Sequence, residues 1–171
     1  MAEKAQAPTW GEGAVADRLA ELGLERPAVA APVGSYVPAI RDGDLVLTSG
    51  QLPFVAGSLP ATGKVGSEVS AERAQELARV CAVNAVAAVH ELIGDLDRVA
   101  QVVKVVGFVA SDPSFTGQPG VLNGASDVLA EIFGEAGRHA RSAVGVAVLP
   151  LDAPVELELV VELSASLAPT A

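Results

Sequence analysis

The chain of 171 residues is poor in aromatic residues, cysteine and basic residues, and it has no long apolar run. Aromatic side chains make up only 4% of it, although half of its residues are hydrophobic. The core must therefore be built mostly from Ala, Val and Leu, which lets helices and sheets approach one another closely. At this length a single domain with a sizeable core is expected.

The single cysteine, Cys81, excludes an intrachain disulfide and any metal site built from several thiolates. Cys81 lies among apolar residues in a helical pattern, so we expect a buried and unreactive thiol. The two histidines, His90 and His139, do not have the spacing of metal ligands. We therefore predict no metal site, and we expect His90 to be exposed on its helix.

Basic residues are scarce, and the net charge is −10. Such a chain lacks the basic surface that gives nucleic-acid binding its affinity, and anionic membranes are disfavoured for the same reason. No run approaches the ~18 apolar residues that a membrane span needs, and Met1–Pro8 lacks the apolar region of a signal peptide. We expect a cytoplasmic protein that binds neither nucleic acid nor membrane.

Hydrophobic periodicity and turn residues predict three helices and five strands. The helices are predicted at residues 12–23, 70–93 and 119–136, and the strands at 36–40, 45–49, 99–110, 142–150 and 155–163. Their order, ββαβαββ after an extra N-terminal helix, indicates an α+β two-layer sandwich. These elements divide the chain into an N-terminal extension at 1–30, a domain at 31–166 and a tail at 167–171 that we expect to be disordered.

The last two strands are close in sequence, and the linker 151–154 predicts a hairpin between them. Alternation then places Arg141, Ala143 and Glu156 on one face and the Val and Leu residues on the face covered by the helices. The two long helices cannot cover both faces. The short N-terminal helix could cover part of the second face, but we expect another subunit there. In this register Arg141 and Glu156 share a face but lie ~26 Å apart, so a site that uses both must combine two subunits.

Several short motifs occur in a specific order and spacing. They are Gly34–Ile40, Ser49–Pro53, Gly107–Asp112, Asn123, Ala140–Val144, Leu149–Pro150 and Val155–Glu158. Together they resemble the Rid family, the reactive intermediate deaminases also called YjgF-like or L-PSP-like proteins. The resemblance implies a chorismate-mutase-like fold and a homotrimer, in which the three sheets form the centre and the clefts lie between subunits.

The resemblance also implies an activity, the hydrolysis of reactive 2-imino (enamine) acids to 2-oxo acids and ammonia without a cofactor. Arg141 matches the arginine that binds the substrate carboxylate, for which its planar guanidinium is suited. Glu156 matches the glutamate that positions or activates the attacking water. Tyr36 matches a tyrosine lining the cleft, Gly50 a main-chain contact beside it, and Asn123 a polar group at its edge.

The chain departs from the family pattern in three ways. Ala143 stands where a cysteine is common, and the implied role there, holding the water, belongs to the main-chain carbonyl. The N-terminal extension and the loop 54–67 are absent from short members, and one extra residue lies between Asn123 and Arg141. These departures indicate a longer subgroup with its own cleft shape and substrate. His139 lies two residues before Arg141 and could border the cleft.

Simpler interpretations remain open for the site residues. Arg141 could form a structural ion pair at a subunit interface, and Glu156 could be a solvated glutamate, as we expect of Glu158 and Glu162. Two other functions also remain open: a trimeric module that binds a metabolite without turnover, and an endoribonuclease, which the charge of −10 disfavours.

Overall fold

The computed structural model describes residues 8–31 and 34–164. Its helices and strands are α1 (Ala14–Glu21), β1 (Ala39–Asp42), β2 (Leu45–Thr48), α2 (Ala71–Ile93), β3 (Val99–Ala110), α3 (Gln118–Phe133), β4 (Ala140–Val146) and β5 (Val155–Leu163). Short 3₁₀ turns lie at Leu96–Arg98, Gly134–Gly137 and Pro150–Asp152. The predicted α+β fold and element order are confirmed. The tail predicted at 167–171 lies outside the described residues, as do residues 1–7 of the extension.

The sheet has the strand order β1-β2-β5-β3-β4. Strand β4 runs parallel to β3, and the other neighbours are antiparallel. The predicted hairpin between the last two strands is therefore wrong, because β3 lies between them. The unit β3–α3–β4 is a crossover that returns parallel to its first strand. The segment 147–154 then carries the chain past β3, and Leu151 and Asp152 adopt positive φ values of 57° and 58° there.

This pairing puts Arg141 and Glu156 on opposite faces of the sheet. Arg141 pairs with Val105 and Ala143 with Gly107, on the face that the helices cover, whereas Glu156 pairs with Phe108 on the other face. The predicted common face is wrong, because side chains alternate along a strand and a wrong register changes their face. The predicted ~26 Å is also wrong: two strands across and three residues along correspond to about 14 Å between the Cα atoms.

Strand β3 contains irregularities that also change the predicted faces. Its pairing with β5 shifts register between Val99 and Gln101 and again between Val102 and Lys104. As a result Val102 is fully buried and pairs with the buried Val161 on the helix-covered face. Simple alternation would place Val102 on the same face as Phe108, but bulges interrupt the alternation of a strand.

Helices α2 and α3 pack on one face of the sheet and contact each other closely. Ser70 caps α2 by accepting a hydrogen bond from the Arg73 N–H, and Gly94 ends the helix in the left-handed conformation. At Gly124 a Cβ atom would lie 2.0 Å from the Gln75 carbonyl oxygen. Glycine is needed here because the backbone of α2 occupies the space of a side chain.

The N-terminal helix α1 also joins the helical layer. The Asp97 carboxylate accepts hydrogen bonds from the Ala14 and Val15 N–H groups, both at 2.8 Å, and Arg18 Nε donates to the Glu131 carbonyl of α3. Helix α1 therefore leaves the second face of the sheet uncovered. Apolar side chains are exposed on this open face, and they include Ile40, Leu45, Leu47, Val103 and Val144.

His90 is buried, with only 7% of its surface exposed, so the prediction that it is exposed is wrong. The extension covers it: the Trp10 ring meets the imidazole edge to face at 5.8 Å, and Trp10 Nε1 donates to the Leu24 carbonyl. Burial, followed by the charge of Arg26, lowers the pKa of His90. The helix pattern of α2 alone could not show this, because the cover comes from a distant segment.

Candidate functional site

Arg141 projects from the edge strand β4 onto α3. Its Nη1 donates to Asn123 Oδ1 at 3.1 Å and to Ser126 Oγ at 2.9 Å, and its Nη2 donates to the Pro119 carbonyl at 3.0 Å. Asn123 and Ser126 are three residues apart, so they lie on one side of α3. The three hydrogen bonds to residues of α3 fix the orientation of the Arg141 guanidinium.

These contacts leave donors for a ligand. They occupy three of the five N–H groups that a guanidinium carries. Among the described residues, no carboxylate forms an ion pair with Arg141. An intrachain ion pair therefore does not explain this residue, and a cation with spare donors is suited to binding an external carboxylate.

Glu156 projects from β5 on the open face, against Gly50. A Cβ atom at Gly50 would lie 1.7 Å from Glu156 Oε1, so the carboxylate occupies the space that a side chain would need. Burial, followed by the nearby charge of Glu158, raises the pKa of Glu156. A half-buried carboxylate with a raised pKa can exchange a proton closer to neutral pH than an ordinary glutamate.

Tyr36 and Gly50 line a small cavity of about 50 Å³. Tyr36 precedes β1 rather than lying within it, and half of its surface is exposed. Ala28–Ala31, Leu52 and Phe54 also line this cavity. Asn84 of α2 holds Leu52 and Phe54 in place, because its side-chain amide donates to their carbonyls.

The six predicted site residues thus form two groups within one chain. Arg141 contacts Asn123, and Ala143 lies two residues further along β4, partly buried against the core. Tyr36 and Gly50 share the cavity, and Gly50 contacts Glu156. One chain does not bring the two groups together.

Two features of the site were missed by sequence reasoning. Ser126 binds Arg141, and its spacing of three residues from Asn123 on a predicted helix was the available signal. The cavity lining at Ala28–Ala31 had no comparable signal, because only tertiary contacts bring this segment to Tyr36.

The described residues contain no group of three or more His, Cys, Asp and Glu side chains that could hold a metal ion. Within the same residues, no helix is long and apolar enough to cross a membrane. The chemistry that these side chains can supply themselves is anion binding by Arg141 and proton transfer by Glu156.

Comparisons with known proteins agree with the fold and with the motifs. Residues 16–163 match the family model described as "YjgF/chorismate_mutase-like, putative endoribonuclease". The chain is 48% identical to protein TCP17 of Trypanosoma cruzi over 155 residues, covering 89% of this chain and 96% of that protein. It is 35% identical over 132 residues to a 2-iminobutanoate/2-iminopropanoate deaminase of Salmonella typhimurium, covering 76% and 88%.

A solved structure of an Agrobacterium tumefaciens protein of unknown function is also similar, with a TM-score of 0.80 and 46% identity. The similarity covers 87% of this chain and 91% of that one. The family match spans both groups of site residues, from Tyr36 to Glu156. The chain therefore belongs to the YjgF/chorismate mutase-like family, which includes the Rid proteins.

Proposed function

We propose that this protein hydrolyses reactive 2-imino acids, or their enamine forms, to 2-oxo acids and ammonia without a cofactor. The observation that carries the proposal is the Arg141 guanidinium, which α3 holds in place while two of its N–H groups keep no described acceptor. The similarity to a protein named 2-iminobutanoate/2-iminopropanoate deaminase supports the same reaction.

In the proposed reaction, Arg141 binds the substrate carboxylate. The oxygen of a water molecule adds to the carbon of the protonated C=N group while Glu156 takes up one proton from the water, which leaves a carbon that carries one OH and one NH2 group. Glu156 returns this proton to the nitrogen. The C–N bond then breaks and ammonia leaves, while the C=O bond forms and the hydroxyl proton passes to Glu156, which releases it to solvent. The raised pKa of Glu156 favours this role, because the side chain must hold a proton between the two steps.

The proposal requires two subunits for each site. In a 2-imino acid the carboxylate is bonded directly to the reacting carbon, so the groups that bind them must lie within a few ångströms of each other. Arg141 and Glu156 lie on opposite faces of one sheet. We therefore propose a homotrimer in which β4, an edge strand, brings Arg141 to the Glu156, Gly50 and Tyr36 of a neighbouring subunit.

The open face supports this assembly. Its exposed apolar residues on β1, β2, β3 and β4 form a surface that α1 leaves uncovered. Contact with other subunits would remove this apolar surface from water, which is the main driving force of association. In the proposed trimer the three open faces meet at the centre.

The test is a direct assay of imine hydrolysis. An amino-acid oxidase would generate 2-iminobutanoate or 2-iminopropanoate in situ, and its decay would be followed with wild-type protein and with Arg141→Ala. We expect wild-type protein to accelerate the decay and the variant to lose most of that acceleration. Absence of acceleration across several imino acids, with the oligomer intact, would instead favour a module that binds a metabolite without turnover.

Cleavage of RNA is a less favoured function. The net charge of −10 opposes the approach of a polyphosphate, and the guanidinium of Arg141 lies among polar contacts rather than in a basic patch. RNA cleavage by highly purified protein that disappears in Arg141→Ala would reverse this preference.

A further inference from the structure

Two side chains beyond the six predicted site residues belong to the support of Arg141. Ser126 Oγ, which accepts from Arg141 Nη1, lies 3.0 Å from His139 Nε2. His139 Nδ1 in turn lies 2.6 Å from the Gly137 carbonyl oxygen. The contacts form an unbroken chain from the guanidinium to the backbone of the 3₁₀ turn after α3.

The chemistry of the partners fixes the direction of the hydrogen bond at Nδ1 and, for a neutral imidazole, of the one at Nε2. A carbonyl oxygen only accepts, so His139 Nδ1 must carry the proton that it donates to Gly137. In the neutral imidazole Nε2 is then an acceptor, and the Ser126 hydroxyl donates to it. The lone pairs of Ser126 Oγ are left facing Arg141, which donates to them.

The series of hydrogen bonds from Arg141 ends at Gly137, whose backbone is closely packed. Gly137 is buried, and a Cβ atom there would lie 2.3 Å from the Leu129 carbonyl oxygen of α3. The carbonyl that orients His139 therefore has little freedom to move. A serine in a helix can instead turn its hydroxyl to a carbonyl of the preceding turn, and His139 provides the acceptor that competes with this alternative.

We propose that Ser126 and His139 are positioning residues that hold the Arg141 guanidinium in the orientation that binds the substrate carboxylate. The inference rests on the proposed function of Arg141. Without Ser126 Oγ, one N–H of Nη1 loses its acceptor, and the guanidinium can turn toward other acceptors on α3. A misdirected guanidinium binds a planar carboxylate less well, because bidentate binding depends on orientation.

The test compares KM and kcat for 2-iminobutanoate hydrolysis in Ser126→Ala, His139→Ala and His139→Gln. We expect KM to rise about five- to tenfold in the two alanine variants with kcat nearly unchanged, because the carboxylate is bound equally in the ground and transition states. His139→Gln should recover most of the loss, since its amide oxygen can accept from Ser126. Asp127→Ala, an exposed neighbour of Ser126 on α3, is the matched control and should behave as wild type.

A purely structural role would give a different pattern. It would lower thermal stability and the active fraction, so kcat would fall while KM stayed the same, and His139→Gln would rescue nothing. That result, or a KM equal to wild type in Ser126→Ala, would overturn the inference.

A calorimetric measurement of 2-oxobutanoate binding distinguishes failure of the positioning role of Ser126 and His139 from failure of the proposed function. If wild-type protein hydrolyses no imino acid but binds 2-oxobutanoate through Arg141, the same order of affinities is expected among the variants. If wild-type protein neither hydrolyses imino acids nor binds the 2-oxo acid, both the proposed function and this inference are wrong.

Discussion

At the scale of single residues, the contact between Glu156 and Gly50 links the proposed catalytic role of Glu156 to the stability of the fold. The half-buried carboxylate lies where the glycine has no side chain, and burial raises its pKa. A raised pKa in the folded state means that the ionised form is less stable there than in the unfolded chain. The property that is useful for proton transfer therefore costs stability at neutral pH.

Replacement of Glu156 by glutamine should separate these two effects. Glu156→Gln mimics the protonated side chain, so we expect a higher melting temperature than wild type at pH 7 and loss of imine hydrolysis. The gain in stability should shrink as the pH falls and vanish below about 4.3, the ordinary glutamate pKa, where the wild-type side chain is protonated in both states. Thermal unfolding between pH 4 and 8 measures this difference.

Glu12→Gln is the control for this experiment. Glu12 is exposed and precedes α1, so it lies outside the open face of the sheet. Its replacement should change the melting temperature little at any pH. A Glu156→Gln variant that is less stable than wild type at pH 7 would contradict the prediction.

At the scale of elements, the close contact between α2 and α3 depends on the absence of a side chain at Gly124. Gly124→Ala places a methyl group against the Gln75 carbonyl, and backbone cannot move as easily as the end of a flexible side chain. We expect the free energy of unfolding to fall by about 1–3 kcal/mol, the usual cost of overpacking. Urea unfolding monitored by circular dichroism gives this value.

The same helix provides the control for this substitution. Gly120 also lies in α3, but nothing is within 4 Å of a Cβ atom built there. Gly120→Ala should therefore be neutral or stabilise the protein by about 0.5–1 kcal/mol, since alanine favours the helix. Equal effects of the two substitutions would show that the helix contact is not the cause.

The helices and the strand pairing differ in how far the sequence predicts them. Helix α2 was predicted within one residue of its observed start and at its observed end, because Ser70 and Gly94 signal its ends locally. The predicted pairing of β4 with β5 is wrong. The short linker between them is typical of a hairpin, and the alternation of apolar residues does not indicate which strand is the neighbour. The error also assigned the wrong face to Arg141, so the candidate residues were predicted but their arrangement was not.

At the scale of the whole molecule, the open face of the sheet is the proposed contact between subunits. Val144, with 44% of its surface exposed, pairs with Phe108 on this face. Val144→Glu would bury a charge in the interface, which is costly without a partner, so we expect monomers or weakened trimers. Light scattering coupled to size-exclusion chromatography measures the change in mass.

Leu92 offers a control with the same exposure. It lies on α2 and is also 44% exposed, but on the helical side of the molecule. Leu92→Glu should leave the oligomer unchanged. If Leu92→Glu dissociated the oligomer and Val144→Glu left it intact, the interface would lie on the helices. That result would contradict the proposed trimer.

A shared site predicts complementation between inactive subunits. Arg141→Ala and Glu156→Ala should each be inactive alone, but an equal mixture should recover about a quarter of the wild-type activity, because that share of heterologous contacts combines both intact residues. The subunits must be dissociated and reassembled together, and mass spectrometry verifies the mixed oligomers. No recovery in verified mixtures would exclude a site shared by Arg141 and Glu156.

The crossover β3–α3–β4 has an evolutionary consequence. In the part of the chain that the structure describes, the residues of the hydrogen-bond network around Arg141 all lie between Pro119 and Arg141, in one continuous stretch. The surroundings of Glu156, by contrast, include Gly50, from a segment about a hundred residues away in sequence. Recombination of one short gene fragment can therefore transfer the proposed carboxylate-binding residues between relatives and leave the proposed acid–base residue and its surroundings unchanged. Substrate preference and reaction chemistry can thus diversify as separate heritable traits.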